Sequence, residues 1–150
     1  MKNELTGNLL SEFKIIMSLM SPQDRQLFEF RVDRVVEDKT PGAYAVVQPR
    51  WTPRGFPRNC VMVLDRDAMR GLSFKDRLSV IAHEVAHVMT MRRSMGHDVR
   101  EFEADTFARD VLGHGSVSGL RARWNNKRSG RRLLYDLVPD SRGGFIVNYR

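Results

Sequence analysis

Ser79-Val80-Ile81-Ala82-His83-Glu84-Val85-Ala86-His87-Val88-Met89 sets the pattern H-E-x-x-H inside an apolar run. Residues four apart on a helix share one face, with Cβ atoms about 5–6 Å apart. Two imidazoles at that separation can grip one zinc ion, with the intervening Glu beside the metal's water. Glu84 stands one step round the helix from His83, so it flanks such a metal without ligating it. With four histidines in the chain, the pattern has roughly a half-percent chance of arising by accident. The plain alternative is a helix with two solvated histidines. Apolar neighbours surround the motif, however, and buried histidines need partners.

Immediately upstream, Ser73 with Asp76 three residues on marks the start of the helix. Leu78, Ile81, Val85 and Val88 form one stripe, and Val80 flanks the histidine face. The middle of this helix is therefore expected to be buried on most sides. It is expected to run over 76–93, until Ser94-Met95-Gly96 breaks it. Asp98 then caps a further helix over 98–112, stopped by Gly113. Further upstream, Cys60-Val61-Met62-Val63-Leu64 reads as a strand and 43–48 as another. Pro49, Pro53, Gly55 and Pro57 crowd the loop between them, which holds Trp51 and Phe56. Those two rings either cap the core or rim a cleft. Leu9, Phe13, Ile16 and Leu19 predict a helix over 8–20. Ser21-Pro22 opens a second, over 22–37, carrying Phe28, Val32, Val35 and Val36. Downstream, Ser116 or Ser118 caps a short helix through Trp124, and 133–138 with 145–149 read as a hairpin.

A catalytic zinc needs three protein ligands and one open position. The chain has a single cysteine, Cys60, so thiolate sites are improbable and the third ligand falls to His or a carboxylate. Cys60 also excludes an intrachain disulfide, which suits a reducing compartment; the residue itself reads as a small buried apolar group. Glu101, His97 and Glu103 are the candidates for the third place. Glu101 also reads as the third residue of a capping box opened by Asp98.

Glu101-Phe102-Glu103-Ala104-Asp105-Thr106-Phe107-Ala108 is similar to the second motif of gluzincin metallopeptidases, in which H-E-x-x-H is followed by E-x-x-A-[DN]-x-F-A on the next helix. Together with the apolar strand upstream, residues 60–112 resemble the ImmA/IrrE family, the minigluzincins and the HtpX-type proteases. The resemblance implies a zincin-like α+β fold. A small, mostly antiparallel sheet would pack on the H-E-x-x-H helix and the following ligand helix, with N-terminal helices and a C-terminal hairpin. It implies zinc-dependent hydrolysis of peptide bonds, with Zn2+ held by His83, His87 and Glu101 and with Glu84 as general base. Asp105, one turn after Glu101, would accept an imidazole N–H. The substrate would be an extended protein or peptide segment near Cys60–Leu64, a transcriptional regulator by likeness to ImmA/IrrE. His97, His114 and Tyr135 are the candidate oxyanion helpers. Gly96-His97 also resembles a later Gly-His of SprT-like proteases, where the histidine is the third ligand, but its ten-residue distance from His87 does not fit.

At 150 residues the chain is expected to be one domain, with a helical part over 1–40 and a basic part over 114–150. No run of 18 apolar residues exists, so no membrane span is expected. Met1-Lys2-Asn3-Glu4-Leu5 lacks the apolar stretch of a signal peptide. A cytoplasmic setting is expected, with a virion-associated one as the alternative. Between His114 and Arg150 there are eight basic residues against Asp136 and Asp140, so nearly all of the +7 net charge belongs to that quarter. The Arg-rich 121–132 region is either a solvated surface or a docking face for an assembly partner or nucleic acid. The competing functional expectation is accordingly a zincin-fold structural or binding protein, such as a phage assembly component, that uses zinc structurally. The sequence holds no internal repeat and no low-complexity run.

Overall fold

The computed structural model describes residues 1–113 and the backbone of 135–139 and 145–149, with side chains described through residue 111. In chain order the elements are β1 (Lys2–Asn3), α1 (Gly7–Leu19), α2 (Pro22–Arg31), β2 (Val32–Glu37), β3 (Ala45–Gln48), β4 (Cys60–Leu64), α3 (Arg66–Met69), α4 (Phe74–Thr90), α5 (His97–Gly113), β5 (Tyr135–Pro139) and β6 (Phe145–Tyr149). The described residues thus form five helices, a four-stranded sheet in the order β1-β2-β4-β3, and a separate antiparallel β5–β6 pair. The short helix expected through Trp124 lies outside the described residues.

The sheet is mixed, which corrects the expectation of a mostly antiparallel one. β1 pairs with β2, and β2 with β4, in parallel; only β3 runs antiparallel to β4. The cause lies in residues 32–37. They do not continue the second helix, as periodicity suggested, but leave it at Arg31 and enter the sheet as β2. Val32, Val35 and Val36 are β-branched and favour a pleated, half-buried surface. Between β1 and β4 their backbone groups find partners on both sides, which no helix end would provide. The N-terminal 40 residues therefore contribute sheet as well as helix. β4, an apolar run buried at Cys60, Met62, Val63 and Leu64, lies inside the sheet. β3 and β1 are its edges.

Helix α4 runs through the middle of the molecule. Ser73 caps it, its hydroxyl accepting from the Asp76 N–H at 3.1 Å. From Leu78 to Val88 every residue is buried. Helices α1, α2 and α5 and strands β3 and β4 all pack against it. The Phe13 and Phe28 rings, 5.9 Å apart, join α1 and α2 within the same core. Two ion-bearing contacts fix its ends. Near the start, the Arg77 guanidinium grips buried Glu12 of α1, with Nε 2.8 and 3.0 Å from the two carboxylate oxygens. At the other end, Arg31 Nη1 donates to the carbonyls of Val88 (3.1 Å) and Met89 (2.9 Å), where a cation complements the helix dipole. The helix stops at Thr90, three residues before the expected boundary, because Met91 turns extended.

The turn between α4 and α5 is anchored by the proline-rich loop. Gly55 has φ +84°, a region that favours glycine, and its carbonyl accepts from the Arg93 N–H at 2.9 Å. Thr52 holds the loop closed through its backbone N–H to Phe56 (2.7 Å) and its hydroxyl, which accepts from the Phe56 N–H. No helix among the described residues is long and apolar enough to cross a membrane.

Candidate metal centre

His83 and His87 leave α4 from successive turns, their ring centroids 4.5 Å apart and their planes perpendicular. Both are buried, as are Glu84 between them and Glu101 and Asp105 on α5. The Glu101 carboxylate lies against the two rings. Its Oε2 is 2.9 Å from His83 Nε2, and its Oε1 is 3.4 Å from His87 Nε2. On the far side of His83, Nδ1 is 2.9 Å from Asp105 Oδ1. An ionised carboxylate only accepts, so the ring meets Asp105 and Glu101 as a donor on both sides, and a metal at Nε2 would leave the remaining hydrogen on Nδ1 beside Asp105. The i, i+4 spacing of Glu101 and Asp105 puts both carboxylates on the α5 face that meets α4.

Burial and charge act in opposition here. Burial alone would disfavour a charged His83, but Asp105 and Glu101 outweigh it and its pKa is pushed up to about 9. His87 is lowered, first by burial and then by the neighbouring His83. Burial would raise Glu101, yet hydrogen bonds from His83 and His87 hold its carboxyl well below the usual carboxylate range.

His83, Glu84 and His87 each offer a ligand atom within 4.8 Å of the others, and this buried group could hold a metal ion. Glu101 is the carboxylate that touches both rings. Donors around a tetrahedral zinc stand about 3.3 Å apart, given bonds of about 2.0–2.1 Å. The 3.4 Å between Glu101 Oε1 and His87 Nε2 matches that spacing, while the 2.9 Å between Oε2 and His83 Nε2 is a direct hydrogen-bond distance that a metal would have to open. Two imidazole nitrogens with a carboxylate also match the donor chemistry of known zinc sites.

The other candidates fall elsewhere. His97 is exposed at the start of α5 and lines a cleft beside His87 and Glu101. Glu103 faces a different hollow, shared with Arg31, Phe56 and Arg92. Asp98 stands within the first turn of α5 rather than before it, and the Glu101 carboxylate is engaged with the rings. His114, the side chain of Tyr135 and the whole of 121–132 lie outside the described residues. Cys60 is fully buried, its thiol pushed up by burial.

The cleft itself corrects one expectation. Its wall on the sheet side is Val47 and Pro49, at the end of β3, not β4. β4 is covered on both edges by β2 and β3 and has no free backbone to offer. Trp51 is packed against the core, and Phe56 lies under Arg31 and Arg92; neither lines the cleft. Arg100 does, and the sequence reading passed over it. Its guanidinium sits 5.1 Å above the Trp51 ring and donates to three carbonyls of the α4–α5 turn. Its position beside Glu101 on α5 was the one available signal.

No family model matches the chain, and neither the search of curated proteins nor that of solved structures finds a match.

Proposed function

We propose that the chain is a zinc-dependent peptidase with a zincin-like core, resembling the gluzincins. The observation that carries this reading is the meeting of His83 and His87 Nε2 on the Glu101 carboxylate, with Asp105 behind His83. His83, His87 and Glu101 would hold the metal. When bound, zinc lowers the pKa of water and polarises a carbonyl toward attack. Glu84 takes the proton of the attacking water and delivers it to the leaving amine. Asp105 keeps the hydrogen of His83 on Nδ1, so that Nε2 stays available. His97, in the wall of the cleft, is the candidate donor to the developing oxyanion. The substrate is a protein or peptide segment in a cytoplasmic setting, lying extended against the edge strand β3, whose end opens into the cleft.

The test compares metal content and cleavage of unfolded protein substrates for wild type, Glu84→Gln and Glu101→Ala. Glu84→Gln is expected to keep zinc and lose activity by about 100-fold or more. Glu101→Ala is expected to lose zinc. Full zinc binding in Glu101→Ala would remove it as third ligand. A zinc-loaded wild type that cuts nothing would leave a metal used for structure. The concentration of basic residues in 114–150 favours that second reading, a docking protein.

A further inference from the structure

We propose that Arg100 is a carboxylate receptor in the cleft beside His87, and that it selects segments bearing a carboxylate at this point. That the occupant is a peptide rests on the peptidase reading above; the carboxylate rests on Arg100 itself.

The guanidinium is held on three sides. Nε donates to the Met95 carbonyl at 3.1 Å, and Nη2 to those of Arg92 (3.3 Å) and Arg93 (3.2 Å). Trp51 lies beneath its plane at 5.1 Å. These contacts use Nε and one arm of the fork. Among the described residues Nη1 donates to nothing, and no carboxylate pairs with Arg100. A half-buried cation is thus fixed in place while keeping two hydrogens and its charge. The neighbouring Glu101 does not neutralise it, being engaged with His83 and His87. His97 adds a second nitrogen-bearing ring to the same wall.

The cleft measures about 110 Å³, small against the roughly 300–1,000 Å³ of pockets for drug-sized ligands. It admits a single side chain or the end of a chain. A rigid guanidinium arm loses little freedom on meeting a carboxylate, and the bond is charge-assisted. The carboxylate can come from an Asp or Glu side chain or from a peptide C-terminus.

Calorimetric titration of the zinc-loaded full chain carrying Glu84→Gln, which blocks turnover, separates these. The probes are N-acetyl pentaalanine as free acid, the same peptide as C-terminal amide, and amides with Glu or Gln at the central position. One carboxylate peptide is expected to bind about tenfold or more tighter than its neutral counterpart. Preference for the free acid assigns the chain terminus; preference for the Glu amide assigns the side chain. Adding Arg100→Gln is expected to abolish the preference, and Arg100→Lys, which keeps charge without the fork, to leave an intermediate one. Melting temperature and zinc content check folding, and if Arg100→Gln does not fold, Arg100→Lys decides. Equal binding of acids and amides, no binding of any peptide, or a preference that survives substitution overturns the proposal. Because the readout is binding, a wild type that cuts nothing counts against the peptidase and leaves this preference standing. Cleavage without the preference counts against Arg100 alone.

Discussion

His83 is engaged through both ring nitrogens, and each engagement does separate work. Asp105 stands on Nδ1, where it would hold the ring's hydrogen once a metal took Nε2; the Nε2 side meets Glu101. A buried imidazole without that carboxylate would be free to turn or to hold its hydrogen on the wrong nitrogen. Asp105→Ala is therefore expected to weaken zinc binding by about 10–100-fold, measured by competition with a chromophoric chelator. Asp105→Asn, whose amide oxygen still accepts, should lose less. Glu103→Ala, on the other hollow, should change nothing; equal losses at 103 and 105 would deny Asp105 its place behind the ring. At this scale the sequence was informative. Histidines four apart and carboxylates four apart each demand one helix face, so their pairing needed only that the two helices meet. Arg100 was not legible, because its partners are backbone carbonyls of a turn and the face of Trp51, and carbonyls leave no mark in residue identity.

At the scale of elements, one side chain ties three of them. Glu37, at the end of β2, takes a two-pronged contact from Arg66 of α3, with Nε at 2.9 Å and Nη2 at 2.6 Å, and accepts from the Thr6 N–H that precedes α1 at 2.9 Å. The hydrogen bond from Arg66 is the largest cause holding its carboxyl below the ordinary value, against a smaller opposing effect of burial. A carboxylate with a depressed folded pKa stabilises fully above its unfolded pKa, about 4.3. That contribution fades as pH falls through the folded value. Wild type should thus lose more stability than Glu37→Gln between pH 5 and 3, read from denaturant midpoints at each pH. Parallel acid limbs would show that the pair contributes nothing, as exposed ion pairs often do. The same strand shows where element reading failed. Phe28, Val32, Val35 and Val36 suit a helix face by spacing, but β-branched residues accept either conformation, and pairing with β4 decided it.

For the whole molecule, the candidate metal group lies where α4 and α5 meet, and α4 is buried from Leu78 to Val88 among α1, α2, α5 and the sheet. A ligand bound there would tie together two helices that already pack on each other and on α1. Zinc at 100 times its dissociation constant is expected to add about 2.7 kcal/mol of stability, in proportion to its binding to the folded state alone. Thermal unfolding with and without a chelator reads this out, and His83→Ala should remove the difference. A melting temperature indifferent to zinc and chelator would count against any metal at this site.

The sequence by itself determined the motif helix, its serine cap, the burial of its middle on most sides, the following helix and the carboxylates on it. These follow from local spacing and capping chemistry, which act over a few residues. It also marked Cys60–Leu64 as an apolar strand. Only the tertiary structure decided that 32–37 is a strand, that the sheet is mixed, that β3 rather than β4 borders the cleft, and that Arg100 stands in its wall. Those outcomes depend on which backbone groups pair across distant segments. The same apolar and β-branched residues would satisfy more than one pairing, so the choice belongs to the packed whole.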